Sequence, residues 1–322
     1  MPEFTLRQLE YFVAVADHGT IAAGALELHV SESAVATALS ELERALGVRL
    51  AVRRRAHGIT LTTEGRHALA LARTVLRDAR EFAAGVAAGP GRGLAGPLAI
   101  GCYDTLAPTV LPRLIRGFAD RFPEVALEAS DGPQETLLRR LENGELDLAI
   151  LYDRDLEGTP CAEPLFESCA HVLVAADHPL ADSGTVSFRD LAEEPFVRLD
   201  LSPGWQHTRA LMTAEGVTPR ERFRTRNLEH ARSLVGQGLG YTVIVQRPGT
   251  DLTHDGSRVV SLELDPPAPP VRVVIAWRRG AALPERAAAF LAFAKEACAA
   301  RPDSEPRPHG HPDAPVQPRP AS

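Results

Sequence analysis

Residues 20–65 constrain this chain more than any other stretch. TIAAGALELHVSESAVATALSELERALGVRLAVRRRAHGITLTTEG reads as two short helices followed by an arginine-tipped wing. Ser31 stands where a helix N-cap is wanted, because its hydroxyl can accept from a first-turn N–H that has no partner inside the helix. Behind it Ala34, Val35, Leu39, Leu42 and Leu46 recur at helical steps, which predicts one buried stripe on a helix of about 15 residues. Upstream, Gly24, Ala25 and Leu28 supply the short side chains and the anchor that let a first helix cross a second closely. The opposite face carries Glu32, Ser33, Ala36, Thr37 and Ser40, small and polar enough to approach a surface. A helix braced in this way is suited to a DNA major groove.

From its first residues the chain resembles the LysR-type transcriptional regulators. PEFTLRQLEYFVAVADHGTIAAGALELHVSESAVATALSELERALGVRL follows that family's N-terminal pattern without a gap, and Arg53-Arg54-Arg55-Ala56-His57-Gly58-Ile59-Thr60-Leu61-Thr62-Thr63-Glu64-Gly65 follows its wing. Residues 101–150 and Leu234-Val235-Gly236-Gln237-Gly238-Leu239-Gly240-Tyr241 resemble its effector domain, so the likeness covers residues 3 to 296. The resemblance implies a winged helix-turn-helix and a linker helix, then a two-lobed, periplasmic-binding-protein-like effector domain, an α/β fold. It also implies three partners: double-stranded promoter DNA, a small-molecule effector and further copies of the chain, as a homodimer or homotetramer. RNA polymerase is a further candidate partner. The expected DNA-binding residues are Ser31, Glu32, Ser33, Ala36, Thr37, Ser40, Arg53, Arg54 and Arg55. The family usually has glutamine, serine and arginine where Glu32, Ala36 and Thr37 stand, which opens the operator sequence. Glutamate accepts from a cytosine amine and repels phosphate, and Ala36 and Thr37 suit a thymine methyl but cannot fork onto guanine. Gly24 replaces an alanine at a cost of about 1 kcal/mol in a helix interior, and Ala51 replaces a phenylalanine under the wing.

Charge sets limits on this reading. The chain has a formal net charge of -7, and its first 89 residues hold ten arginines against ten acids. That balance disfavours a non-specific nucleic-acid binder, while the Arg53-Arg54-Arg55 cluster supports a local phosphate contact repeated by oligomerisation. No apolar run of about 18 residues suggests a membrane span, and no N-terminal apolar region suggests a secretory signal, so a cytoplasmic protein with no membrane partner is expected. Cys102, Cys161, Cys169 and Cys298 lack zinc-site spacing and read as packed thiols; Cys161 with Cys169 as a redox pair finds no support in the spacing. His309 and His311 make a weak metal site, and no cofactor is expected.

The expected domains are 1–65 (winged helix-turn-helix), 66–89 (linker and dimerisation helix) and 96–300 (effector domain), with a disordered proline-rich tail at 301–322. In the linker, Leu69, Ala72, Val75 or Leu76, Ala79, Phe82 or Ala83, and Val86 form a narrow stripe suited to pairing helices across a two-fold axis. The glycine-rich break after it leaves little nearby to cover. From residue 96 strands and helices alternate, predicting a parallel sheet. Lobe I is expected at about 96–167 and 262–300 and lobe II at about 168–261.

Ligands of open α/β sheets bind beyond the carboxyl ends of strands and against helix N-termini, which favour anions. The candidate effector-binding residues are therefore Tyr103, Asp104 and Thr105 after the first strand, Ser202 and Trp205 around a helix beginning at Pro203, Asn227 and Glu229 at a third helix start, and Tyr241. An organic acid fits helix termini; Asp104 and Glu229 would instead suit the amine of an amino acid. Ser202 and Asn227 read equally as helix caps, and Trp205 as packing. Two other classes compete. A small-ligand-binding protein on the same fold, with impaired DNA reading, is one. The other, an enzyme, is opposed by the lack of a nucleophile elbow, zinc spacing, phosphate-binding glycine loop or convincing carboxylate pair.

Overall fold

The computed structural model describes residues 3–54, 58–88, 94–156, 160–280 and 283–299. Arg55, the glycine-rich break at 89–93 and the proline-rich tail lie outside the described residues. Three helices open the chain: α1 (Leu6–His18), α2 (Ile21–Glu27) and α3 (Glu32–Leu46). Each begins on a hydroxyl, with Thr5, Thr20 and Ser31 accepting from the amides of Gln8, Ala23 and Ala34. α1 and α3 end at Gly19 and Gly47 in the left-handed region that favours glycine.

Gly24 explains itself in this packing. A Cβ there would lie 3.0 Å from the Val15 nitrogen and 3.1 Å from the Ala14 carbonyl carbon, so the glycine lets α2 rest on the α1 backbone. Val35, Ala38, Leu39 and Leu42 form the buried stripe of α3. Ala34 and Leu46, expected in that stripe, stand in the first and last turns and are exposed.

β1 (Ala51–Arg54) and β2 (Gly58–Leu61) pair antiparallel as the wing, with Arg54 opposite Gly58. α4 (Thr63–Ala88) follows at once. It starts ahead of the expected boundary after Gly65 because the Thr62 hydroxyl accepts from the Gly65 amide at 2.8 Å and caps it. Its stripe divides between two surroundings. Leu69, Ala72 and Leu76 join Leu9, Phe12, Leu39, Leu42 and Leu50 in one core, so the first half of α4 packs on its own domain, contrary to the expectation that it had little to cover. Leu71, Val75 and Phe82 are exposed on the same helix.

The effector region continues with β3 (Gly96–Tyr103), α5 (Ala107–Arg121), β4 (Val125–Gly132), α6 (Gln134–Glu142), β5 (Leu148–Tyr152) and β6 (Pro160–Ser168). Next come β7 (His171–Ala175), β8 (Thr185–Val186), β9 (Pro195–Leu199), α7 (Gly204–Ala214), β10 (Arg220–Thr225), α8 (Leu228–Gly236), β11 (Thr242–Ile244) and β12 (Val259–Leu264). β13 (Val271–Arg278) and α9 (Glu285–Ala299) close the fold. The chain forms two compact units. One holds the residues up to Phe166, Leu201–Pro203 and Val271–Cys298; the other holds Glu167–Asp200 and Gly204–Pro270.

The first unit's large sheet has the order β4-β3-β5-β13-β6. β3 runs parallel to β4 and β5, but β13 runs antiparallel to β5, Ile275 opposite Ile150. The sheet is therefore mixed rather than parallel, because its late strand returns from the second unit instead of crossing over through a helix. In the second unit β7 lies between β11 and β12, antiparallel to both, and β9 pairs parallel with β10. The expected return at residue 262 falls inside β12, where Leu262 pairs with Val172, so the second unit runs on to Pro270. The helix expected from Pro203 begins at Gly204.

Candidate functional site

The helix-turn-helix presents a polar helix face beside the wing. Glu32, Ser33, Thr37 and Ser40 are exposed on α3 and Ala36 is half-buried. Glu32 also sits in the first turn, where a carboxylate is favoured by the unpaired N–H groups. Three of the expected hydroxyls already have local partners: Ser31 accepts from the Ala34 amide at 3.3 Å, the Ser33 and Ser31 hydroxyls hydrogen-bond at 3.1 Å, and Ser40 donates to the Ala36 carbonyl at 2.9 Å. A hollow of about 430 Å³ is lined by Thr20, Ile21, Ala22, Glu32, Ser33, Ala36, Gly58 and Ile59. It joins the start of α3 to the base of the wing. Arg53 and Arg54 stand in β1.

The wing is held to α3 and to the end of α1 by contacts that carry no sequence periodicity. Glu43, on α3, accepts from the amides of Leu50 and Ala51 at 2.7 and 3.1 Å. At the other strand the Ile59 amide donates to the Gly19 carbonyl at 2.7 Å. Gly58, at φ 70°, would place a Cβ 2.4 Å from that same carbonyl oxygen, so no larger residue fits the junction. Gly65 is as tightly placed, its Cβ position 1.9 Å from the Leu50 carbonyl oxygen. Sequence reasoning missed Glu43, which looks like one more solvent-facing acid of a helix.

Of the expected effector residues, four lie in the first unit. Tyr103 is buried and meets Tyr152 edge-on, ring centroids 5.3 Å apart. The Asp104 amide donates to the Gly132 carbonyl, and Thr105 is buried. Burial, aided by Asp131 and Asp104, pushes the Cys102 thiol far up, so it stays protonated. α5 then starts without a side-chain cap: the Leu106 amide donates to the Tyr103 carbonyl, the Thr109 and Val110 amides donate to the Leu106 carbonyl, and Pro108 has no N–H. Ser202 is exposed, in the short segment Leu201–Pro203 that belongs to this unit.

The other four lie in the second unit, each with a local role. The Arg198 guanidinium stacks on the Trp205 ring at 4.3 Å. Burial works against the Asp200 carboxylate, yet hydrogen bonds from Arg224 and Arg198 hold it below the usual range. Asn227 caps α8, accepting from the His230 amide at 2.9 Å. Glu229 accepts from the His254 amide at 2.7 Å and pairs with Arg232 at 2.6 Å, which ties α8 to the loop that follows β11. Arg232 extends the tie to the carbonyls of Thr250 and Leu252. Tyr241, expected to line a cleft, is buried in the core of its unit against Phe196, and burial raises its phenol.

Among the described residues no group of histidines, cysteines and acids could hold a metal ion, and no helix is long and apolar enough to cross a membrane. None of the four cysteines forms a disulfide. Cys161 stands in β6 and Cys169 just past its end, so at about 3.3 Å per residue they are more than roughly 20 Å apart, beyond disulfide reach.

A capped helix-turn-helix with its wing, followed by α/β elements that run through both units, defines a DNA-binding protein with a ligand-binding region. Residues 6–66 match the bacterial regulatory helix-turn-helix protein model of the lysR family, and residues 91–299 match the LysR substrate binding domain. The chain belongs to the LysR family of transcriptional regulators, and its relatives are regulators rather than enzymes. It is 30% identical over 284 residues to the DNA-binding transcriptional dual regulator OxyR of Escherichia coli strain K12, covering 87% of this chain and 92% of that one. The solved structure of HinK, a LysR family transcriptional regulator from Pseudomonas aeruginosa, is 34% identical with a TM-score of 0.62, covering 92% of this chain and 99% of that one. The C-terminal domain of a probable LysR family regulator from Rhodococcus sp. RHA1 is 41% identical with a TM-score of 0.61, covering 62% of this chain and 99% of that domain.

Proposed function

We propose that this regulator reads promoter DNA through Glu32, Ser33, Ala36 and Thr37 on α3, with Arg53, Arg54 and Arg55 of the wing on the flanking phosphates. The hollow that joins the start of α3 to the wing carries this reading, since it sets both elements against one surface. The protein works in the cytoplasm as a dimer or a pair of dimers, with RNA polymerase as its downstream partner. The exposed side chains Leu71, Val75 and Phe82, spaced by four and seven residues on α4, form the self-pairing stripe.

The effector is a small organic anion. The start of α5 beside Thr105 supports an acid over an amine, because the positive end of the helix dipole favours negative charge. On the second unit Glu229 is engaged by Arg232 and the His254 amide, which weakens the case for an amine-binding acid there. A peroxide response, after relatives named as hydrogen peroxide-inducible genes activators, gains no support from the thiols. Cys102 and Cys298 are buried, and Cys161 is separated from Cys169 by β6.

Selection of fragments of the source genome by the purified protein tests the DNA reading. Enrichment of one divergent promoter with an interrupted palindrome is the expected result, and the genes beside it point to the acid. No enrichment at low salt would overturn specific reading and leave a ligand-binding protein on this fold.

A further inference from the structure

Two arginines one helical turn apart clasp α4 onto the turn that leads into β5. Arg73 Nη1 donates to the Asn143 carbonyl and to Glu145, both at 2.9 Å, while its Nη2 pairs with Asp17 near the end of α1. Arg77 donates to the Gly144 carbonyl at 3.3 Å and pairs with Asp147 at 2.9 Å. From β13, Arg278 donates to the Thr74 hydroxyl at 2.9 Å. The turn lies directly on the helix, since a Cβ on Gly144 would stand 3.1 Å from the Ala70 carbonyl oxygen.

The two ends of this clasp differ in strength. Asp147 is buried and bound to β3 twice: its carboxylate accepts from the Ala99 amide at 2.9 Å and its own amide donates to the Ala99 carbonyl at 2.8 Å. Arg77 on Asp147 is therefore the fixed end. Arg73 is itself shielded, with 12% of its side chain exposed, but its partners Asp17 and Glu145 are 45% and 32% exposed. Pairs with exposed partners are weak and exchange readily. A guanidinium presents several donors in one plane and can hold three acceptors together, or shift among them.

We propose that Arg73 is a positioning residue through which the effector lobe sets the orientation of the helix-turn-helix. It touches both sides, α1 through Asp17 and the lobe through Glu145 and Asn143. β3 supplies the lever: its near end is tied to Asp147, and the loop of Asp104 lies roughly 16 Å further along the strand. Movement of that loop reaches the 143–147 turn, changes the share of Arg73 held by Glu145, and so loosens or tightens its hold on α1. This rests on the effector-responsive reading above for its purpose, though not for its geometry.

The test uses full-length protein carrying Asp17→Asn, Glu145→Gln, both together, Arg73→Met, or Arg73→Lys. Amide hydrogen exchange is followed at residues 14–18 and 143–147 without DNA. The bend of the promoter fragment enriched by the wild-type protein is measured by circular permutation. Asp17→Asn is expected to speed exchange at 143–147 roughly threefold, although it lies on another element, and Glu145→Gln to do the same at 14–18. The double variant should match the larger single effect, as should Arg73→Met, with the DNA bend changed and Arg73→Lys restoring part of it. Exchange altered only beside each substitution, with effects that multiply in the double variant, overturns the coupling. A wild-type protein that enriches no DNA defeats the regulator reading instead, and the exchange data still decide the coupling.

Discussion

Glu43 gives the sharpest test of how the DNA-binding face is built. Its Oε1 accepts from the amides of Leu50 and Ala51, and Leu50 is fully buried while Ala51 is 7% exposed. Glu43→Ala strips both amides of their acceptor. A hydrogen bond to a charged group contributes about 1.5–3 kcal/mol, and at the lower figure for each the loss is about 3 kcal/mol. Glu43→Gln keeps an oxygen in place and loses only the charge. Because charge-assisted bonds are roughly twice as strong as neutral ones, it should cost about 1.5 kcal/mol. At tenfold per 1.4 kcal/mol, exchange of the Leu50 and Ala51 amides should speed up about 150-fold in the alanine variant and about tenfold in the glutamine variant. The Ala34 amide, capped by Ser31, serves as an internal reference and should not change. Promoter affinity in a gel shift should fall in the same order, since the wing loses its fixed angle to α3. Exchange at Leu50 and Ala51 within twofold of wild type in Glu43→Ala would refute the reasoning.

Other consequences can be measured with the same protein. Gly65→Ala, which on helix propensity alone should stabilise by about 1 kcal/mol, is expected to destabilise by about 2 kcal/mol, because its Cβ must push the Leu50 carbonyl out of its bonds to Thr62; a raised urea midpoint would contradict this. Arg53→Ala with Arg54→Ala should lower promoter affinity about tenfold or more and reduce the slope of log affinity against log salt by about two per subunit; an unchanged slope removes the wing from the phosphates. His171 is fully buried, and burial first, then Arg247, lowers its pKa to about 3 against the opposing Cys169 backbone. The unfolded chain therefore takes up a proton that the folded one refuses, so stability present above about pH 6.5 is lost steadily as pH falls towards 3. Urea midpoints measured from pH 7 to 4 should fall less steeply in His171→Leu than in wild type.

The DNA-binding half was legible because its signals are local. Ser31 caps α3, and Val35, Leu39 and Leu42 repeat at the period that buries one face. What could not be read were contacts between backbone groups: Gly58 on Gly19 and Gly65 on Leu50 leave no pattern beyond an isolated glycine, and Gly24 signalled a close crossing without showing that its partner is Val15 of α1. In the effector region the first alternations of strand and helix could be read one by one. The mixed order of the sheet could not, because β13 carries the same apolar run whether it enters parallel or antiparallel. β6, β10 and β12 carry no clear strand signal, since charged or proline residues interrupt them, as in Arg220–Thr225, RERFRT. Caps proved the reverse case, since Asn227 behaves in space as its spacing suggested.

The strand order β4-β3-β5-β13-β6 also imposes a timetable on synthesis. β13 is made long after its neighbour β5, with the whole second unit in between. At roughly ten residues per second the edge of β5 stays without its partner for about ten seconds. The helix-turn-helix, complete by then, is able to fold on the ribosome before that sheet is whole. A chain cut short between Ser168 and Val271 would carry that sheet open along β5 and β6, two bare strand edges ready to pair with another chain.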